Sequence, residues 1–306
     1  MKFGMSIIVR GDEAGPETFD AMARTAEATG LEALWASDHL LMMPMLESKY
    51  PGTADGQMPD PWKRKYFQPF SVLNFLAGRT TRVRLGTSVL ILPMRNPLEM
   101  AAQLAELDVV SGGRLNVGIG VGWYKEEYQA LGYDFGSRGK RCDEGLEILK
   151  RLWSGEPASW DGPSYRFTDA RLGPAPRQRP HPPVYIGGHT KAAICRVARH
   201  GDVWHPFKLN PADVAALLPT LKDALAAEGR SGDGFPVAPK VTLVIRDTPH
   251  QEGEPPTHGT PQQIVDTIHR FEDLGVTELC FDIAPETCTN AVATMERFAD
   301  TIRPKL

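Results

Sequence analysis

Residues Asn116 to Gly132 read NVGIGVGWYKEEYQALG, with Gly118, Gly120 and Gly122 at every second position. Two readings compete for this stretch: a loop that cradles a phosphate, or the end of a strand that needs bare backbone for another reason. A dinucleotide fingerprint requires G-x-G-x-x-G with its third glycine opening a helix, and an acidic residue about 20 positions on at a second strand's end. Counted from Gly118 the third place is Trp123, and counted from Gly120 it is Lys125. The region where the acidic residue should stand, Cys142 to Leu152, reads as a helix. The strand-end reading therefore wins, and it calls for an architecture built from many such ends.

Outward from this stretch, short β-type runs alternate with amphipathic helical runs. Eight strands are expected: Lys2 to Val9, Glu32 to Ser37, Val83 to Val89, Leu115 to Gly120, Val184 to Gly187, Asp202 to His205, Lys240 to Arg246 and Glu278 to Ile283. Between them Phe19, Met22, Ala23 and Ala26 follow helical spacing, as do Val214, Leu217, Leu218 and Leu221, and Ile264, Ile268 and Phe271 mark a third apolar stripe. Asn96-Pro97, Asn210-Pro211 and Thr260-Pro261 read as N-cap plus N1-proline starts, and Gly30, Gly155, Gly201 and Gly275 as left-handed C-caps. Strand and helix repeated eight times fit an α/β fold, a closed (β/α)8 TIM barrel formed as a single domain over residues 1–306.

Two insertions interrupt the alternation, one after strand 2 (Leu40 to Gln68) and one before strand 5 (Glu156 to Pro183, with seven prolines). The first follows a strand's C-terminal end, where barrels of this kind build active sites, so it is the candidate lid. A decorative loop is the bland alternative.

Bulk properties narrow the partners. The chain has 306 residues, 42% hydrophobic and 24% charged, and a formal net charge of -4. That balance offers no basic surface for nucleic acid or an anionic membrane, so small molecules are the expected partners. The N-terminus has no leader-like pattern and no apolar run is long enough to span a bilayer, which points to the cytoplasm. Cys142, Cys195, Cys280 and Cys288 lack C-x-x-C spacing and read as reduced thiols, three of them in core elements.

Strand ends carry function in a barrel. No strand ends in a lysine for Schiff-base chemistry, and Asp38 and His39, adjacent in a strand, would point to opposite faces rather than share a metal. The Gly187-Gly188-His189-Thr190 turn opens a helix and reads either as a phosphate site or as a plain tight turn. A cofactor with one phosphate and a broad flat ring would use both this turn and the glycine-rich strand end.

The stretches ALWASDHLL (Ala33 to Leu41), RLGTSVLILPMRNPLEMAAQLAELDVVSGGRLNVGIGVGW (Arg84 to Trp123), KEEYQALG (Lys125 to Gly132), RGKRCDEGLEILKRLW (Arg138 to Trp153) and VYIGGHTKAAICRVARHGDVWHP (Val184 to Pro206) carry a resemblance. Together they resemble the bacterial luciferase-like monooxygenase family, most closely its branch that uses the deazaflavin coenzyme F420 in place of FMN. The resemblance implies a non-prolyl cis peptide at Ser88-Val89 under the central ring of the cofactor. It implies that His39 and Asp38 flank the reactive face as catalytic residues, and that Gly187, Gly188, His189 and Thr190 hold the phosphate. Gly118, Gly120 and Gly122 would let the backbone approach the ring, with Trp123 and Tyr124 at its margin.

A histidine gives or takes a proton near neutral pH, so His39 is either a catalytic group or a hydrogen-bonded rim residue, and His205 a weaker candidate. Asp38 could orient His39 or meet the ring edge. With coenzyme F420 the chemistry is hydride transfer to or from a small apolar organic substrate; with FMN it is oxygen insertion by reduced flavin, supplied by a reductase partner. A non-catalytic flavin-binding barrel is the alternative from another class. Arg10, Lys63, Arg64 and Lys65 could meet an anionic cofactor tail. Met42, Met43, Met45, Trp62, Tyr66 and Phe67 of the lid suggest an apolar substrate or simply pack the lid. A homodimer is expected from the family's habit.

Overall fold

The computed structural model describes every residue except 44–46 and 54. Eight parallel strands form its centre: β1 (Lys2–Ser6), β2 (Ala33–Ala36), β3 (Arg84–Thr87), β4 (Leu115–Gly120), β5 (Val184–Gly187), β6 (Val203–His205), β7 (Lys240–Ile245) and β8 (Glu278–Ile283). They pair in the order β7, β8, β1, β2, β3, β4, β5, β6. The ring closes where β6 meets the chain entering β7. There Trp204 bridges Val237 and Phe207 bridges Lys240 in parallel, with Ala238 N donating to Trp204 O at 2.8 Å and Lys240 N to Pro206 O at 2.8 Å. The architecture is the (β/α)8 barrel.

Parallel strands covered on both faces should be buried along their whole length, and β2, β4 and β8 are. The outer layer is α1 (Pro16–Thr29), α2 (Pro69–Ala77), α3 (Pro97–Val110), α4 (Arg138–Trp153), α5 (Lys191–His200), α6 (Pro211–Ala227), α7 (Pro261–Asp273) and α8 (Cys288–Thr301). Phe19, Met22, Ala23 and Ala26 of α1 and Ile264, Ile268 and Phe271 of α7 are buried as their spacing requires. In α6, Val214 and Leu221 are buried while Leu217 and Leu218 are only partly so. Asn96, Asn210 and Thr260 all cap their helices through side-chain oxygens. Gly30, Gly155 and Gly275 are left-handed, but Gly201 is not: with φ -83 it leaves α5 in an extended conformation that leads directly into β6.

Two strands, β1 and β3, stop two or more residues earlier than their hydrophobic runs suggested, and both departures shape the rim. After Ser6 the chain turns to meet the returning end of the first insertion, where Phe67 N donates to Val9 O at 2.7 Å, Gly11 N donates to Lys65 O at 3.0 Å, and Arg10 bridges Tyr66 antiparallel. After Thr87 comes the Ser88-Val89 peptide, which is cis. The register shifts here: Leu85 and Gly86 face Leu115 and Asn116, but the next partner of Ile119 is Leu90, where an unbroken ladder would have placed Val89. One extra residue bulges out of β3.

The first insertion contains a short helix, Asp60–Arg64, and the second an antiparallel hairpin of Ala158–Asp161 with Arg166–Ala170. Two of the four cysteines, Cys142 and Cys280, are buried, Cys288 is half-buried and Cys195 exposed; all are free thiols. Among the described residues no helix is long and apolar enough to cross a membrane.

Candidate active site

The C-terminal ends of the strands surround a cavity. Ser37, Asp38 and His39 beyond β2, the Ser88-Val89 bulge, Gly122 and Trp123 beyond β4, Gly187 and Gly188 at β5, and His205 of β6 all line it, and Tyr50, Trp62 and Tyr66 of the first insertion cover it.

His39 is buried, and its Nδ1 lies 2.7 Å from Oε2 of Glu127, a fully buried carboxylate in the short helix Lys125–Ala130. The other oxygen, Oε1, accepts the backbone amides of Leu40 and Leu41. A carboxylate so engaged accepts from the imidazole, so Nδ1 carries the hydrogen and Nε2, which has no partner among the described residues, is the nitrogen left for the cavity. Tyr66, Trp123 and Tyr124 surround the ring edge-on at 5.2 to 5.9 Å. Its neighbour Asp38 takes a different course: its carboxylate accepts from Ile91 N at 2.9 Å and from Arg95 Nη2 at 2.5 Å. This ion pair fastens the end of β2 to the chain leaving the bulge.

Deeper in the barrel, His205 lies between Ala238 and Ser88. Nδ1 is 2.6 Å from the carbonyl of Ala238, which can only accept, so Nδ1 carries the hydrogen and Nε2 accepts from the Ser88 hydroxyl at 2.8 Å. Burial pushes the pKa of His205 down to about 4, with nearby Lys240 adding to the effect, so the ring stays neutral at pH 7. Trp35 stacks beneath it at 5.2 Å.

The glycines of β4 serve the bulge. A Cβ on Gly118 would stand 1.8 Å from the carbonyl oxygen of Thr87, and one on Gly120 would stand 2.4 Å from Cγ2 of Val89. Val89 fills that space, with its other methyl 3.0 Å from where a Cβ of Gly187 would be. At the mouth, Gly188 is left-handed (φ +97) and leads into α5, whose cap Thr190 accepts from Ala193 N. Among the described residues the amides from His189 to Ala192 have no acceptor. This is the donor set of an anion seat at a helix N-terminus.

A further group of polar side chains lines the cavity from β1, β7 and β8. Arg10 donates to Glu286 through Nε at 3.1 Å and again through Nη2, and to Ser37 Oγ through Nη1 at 3.2 Å; Ser37 Oγ is 2.6 Å from the Tyr66 hydroxyl. Lys240 and Asp282 form a buried ion pair at 3.0 Å. Burial works hardest against the charge of Lys240, but Asp282 and Cys280 together outweigh it and the pKa is raised, so this lysine stays an ammonium.

The family model for luciferase-like monooxygenases matches residues 1–252. The chain belongs to the luciferase-like monooxygenase family. An uncharacterized protein of Mycobacterium tuberculosis is 32% identical over 280 residues, covering 91% of this chain and 92% of that protein. The FMNH2-dependent dimethylsulfone monooxygenase of Pseudomonas putida is 30% identical over 181 residues, 58% of this chain and 49% of its own length. Among solved structures, an F420-dependent secondary alcohol dehydrogenase in complex with an F420-acetone adduct superposes with a TM-score of 0.78 at 16% identity, covering 100% of this chain and 99% of that one. Members of the luciferase-like family are oxidoreductases and monooxygenases, and this chain is an enzyme of that class.

For this luciferase-like barrel the residues singled out in the sequence divide into several groups. His39, Ser88, Val89, Gly122, Trp123, Gly187 and Gly188 line one cavity. Asp38 also lines it, but Glu127 rather than Asp38 holds His39. Gly120 does not reach the wall because Val89 occupies its space, and Tyr124 stands behind Trp123, stacked on it at 5.1 Å, with its hydroxyl accepting from Met43 N at 2.7 Å. His189 and Thr190 are exposed beyond the mouth. Lys63, Arg64 and Lys65 contact Asp60 or Asp12 on the outside. Trp62 and Tyr66 line the cavity, Phe67 packs on Phe19 in the core, Met42 and Met43 are absent from the wall, and Met45 lies outside the described residues. Sequence reasoning missed Glu127, Lys240 and Asp282; only Glu127 had a signal, its place in the matched KEEYQALG stretch.

Proposed function

We propose that residues 1–306 work as one barrel that transfers hydride between coenzyme F420 and a small organic substrate, with His39 as the proton carrier. The observation that carries the proton role is the bond between His39 Nδ1 and Glu127, which leaves Nε2 to the cavity. His205 has no such nitrogen to spare, since both of its own are engaged. A hydride transfer to or from an organic substrate needs one such carrier at the substrate oxygen or carbon.

The residues present fit a flat ring with an anionic tail. Val89 and Ser88 would lie against the ring, Gly122, Gly187 and Gly188 would give it room, and the amides at the start of α5 would take the phosphate. Bound there, a deazaflavin would carry hydride, whereas reduced FMN would activate oxygen. Trp123 and the first insertion would exclude water, and His39 would hold or release its proton at Nε2.

A second reading, FMNH2-dependent monooxygenation with a reductase partner, is supported by the likeness to the dimethylsulfone enzyme. Anaerobic titration with F420, FMN and their reduced forms, followed by absorbance and fluorescence, separates the two. Retention of F420 alone supports hydride transfer, preferential retention of reduced FMN moves the chain to the oxygenases, and retention of neither refutes both. We further propose that two copies pair as a homodimer, which sedimentation velocity tests directly.

A further inference from the structure

The polar wall formed by Arg10, Ser37, Tyr66 and Lys240 has more hydrogens to give than acceptors to take them. Ser37 Oγ and the Tyr66 hydroxyl share one hydrogen bond, and Ser37 receives another from Arg10. Two hydroxyls bring two hydrogens, and among the described residues neither oxygen has any other acceptor, so one O–H is left over. Lys240 brings three N–H groups and directs one at Asp282. The carboxylates facing these cations are engaged: Glu286 by the bidentate fork of Arg10, Asp282 by Lys240. The four charges cancel. An occupant of this wall must therefore supply an acceptor oxygen, and a neutral one, because an added anion would have to compete with two carboxylates already in place.

Beside this wall stands an aromatic slot. The Arg10 guanidinium lies 3.8 Å over the Trp62 ring, Tyr50 meets Trp62 edge-on at 5.8 Å, and Tyr50 reaches Trp123 at 5.3 Å. Flat, rigid walls favour a flat occupant.

We infer that the substrate is a planar, conjugated, neutral carbonyl compound whose oxygen accepts from the Ser37–Tyr66 hydroxyl pair and Lys240. This departs from the purely apolar substrate that the lid's methionine and aromatic residues suggested. It rests on the reading of the cavity as the reaction chamber of a flavin or deazaflavin enzyme. Tyr66 and Lys240 then set specificity, since a matched hydrocarbon leaves their hydrogens without an acceptor.

Equilibrium dialysis of 9-fluorenone against fluorene, which has the same rings without the carbonyl, tests the inference. It is run on the protein alone and on the protein saturated with whichever of F420 or FMN it retains. Fluorenone is expected to bind about tenfold more tightly than fluorene in both forms, the worth of one hydrogen bond to a donor otherwise left unpaired. Either single change leaves one hydroxyl hydrogen spare, so Ser37→Ala is combined with Tyr66→Phe; the double variant should cut that ratio severalfold, while Trp62→Leu weakens both ligands and leaves the ratio standing; thermal melts confirm that the variants are folded. A ratio near one in the unaltered protein overturns the inference, as does a preference that the double change leaves undiminished. Expulsion of fluorenone by the cofactor also overturns it, because the wall would then serve the cofactor's own carbonyls. If neither cofactor is retained the functional reading fails, and the dialysis on the protein alone still decides whether the wall recognises a carbonyl.

Discussion

His39 and His205 face one cavity from two depths, and the partner of Nδ1 separates their roles. At the rim the partner is a carboxylate, Glu127, and Nε2 has no partner among the described residues. In the interior it is a backbone carbonyl, Nε2 is spent on Ser88, and burial keeps the ring neutral. The rim arrangement can move a proton. The interior one fixes a direction of hydrogen bonding, so that the Ser88 hydroxyl donates to His205 and offers only its lone pairs to the cavity.

The most severe way to break this contrast is His39→Gln, which should lower turnover of an accepted substrate by roughly a thousandfold, the usual worth of a proton carrier, while cofactor binding measured by fluorescence is kept. Next comes Glu127→Gln. Its amide oxygen would stay with Leu40 N and Leu41 N, its NH2 would face Nδ1, and the imidazole would have to adopt the opposite tautomer. Turnover should fall roughly a hundredfold with a displaced pH profile.

The interior histidine shows itself in stability instead. Its folded pKa of about 4 lies below the unfolded value of about 6.5, so between those limits the unfolded chain binds a proton that the folded chain refuses. Stability is therefore complete above about pH 6.5 and falls as the pH drops toward 4, by about 2 kcal/mol between pH 7 and 5. His200, also held at about 4 by burial, contributes to the same slope. Denaturant melts of His205→Asn should show a slope shallower by that amount. The mildest change, Ser88→Ala, removes the donor to a buried Nε2 and should cost about 1 kcal/mol at neutral pH with little effect on the acid slope.

The strands were legible because parallel strands buried on both faces leave continuous apolar runs, and the N-caps because their chemistry is local. The helix before Gly201 ended differently because the chain is drawn straight into β6. The glycines of β4 were legible as a demand for bare backbone, but their purpose was misread: they admit Thr87 of the adjacent strand and Val89 of the bulge that follows it. Glu127 lies 88 positions from His39, and no periodicity reports a contact between two elements that far apart. Lys240 was passed over because it begins a strand; the pairing of Lys240 with Pro206 and Lys208 joins that strand's start to the end of β6, and its side chain lines the cavity.

The most direct test of the histidine contrast is a 15N spectrum of histidine-labelled protein at pH 7, assigned with His39→Gln and His205→Asn and then carried down to pH 5. The account requires a bare Nε2 and a protonated Nδ1 at His39, the same tautomer at His205, and a His205 that remains neutral at pH 5. A proton on Nε2 of His39 in place of Nδ1, or a His205 charged at pH 6, would contradict it.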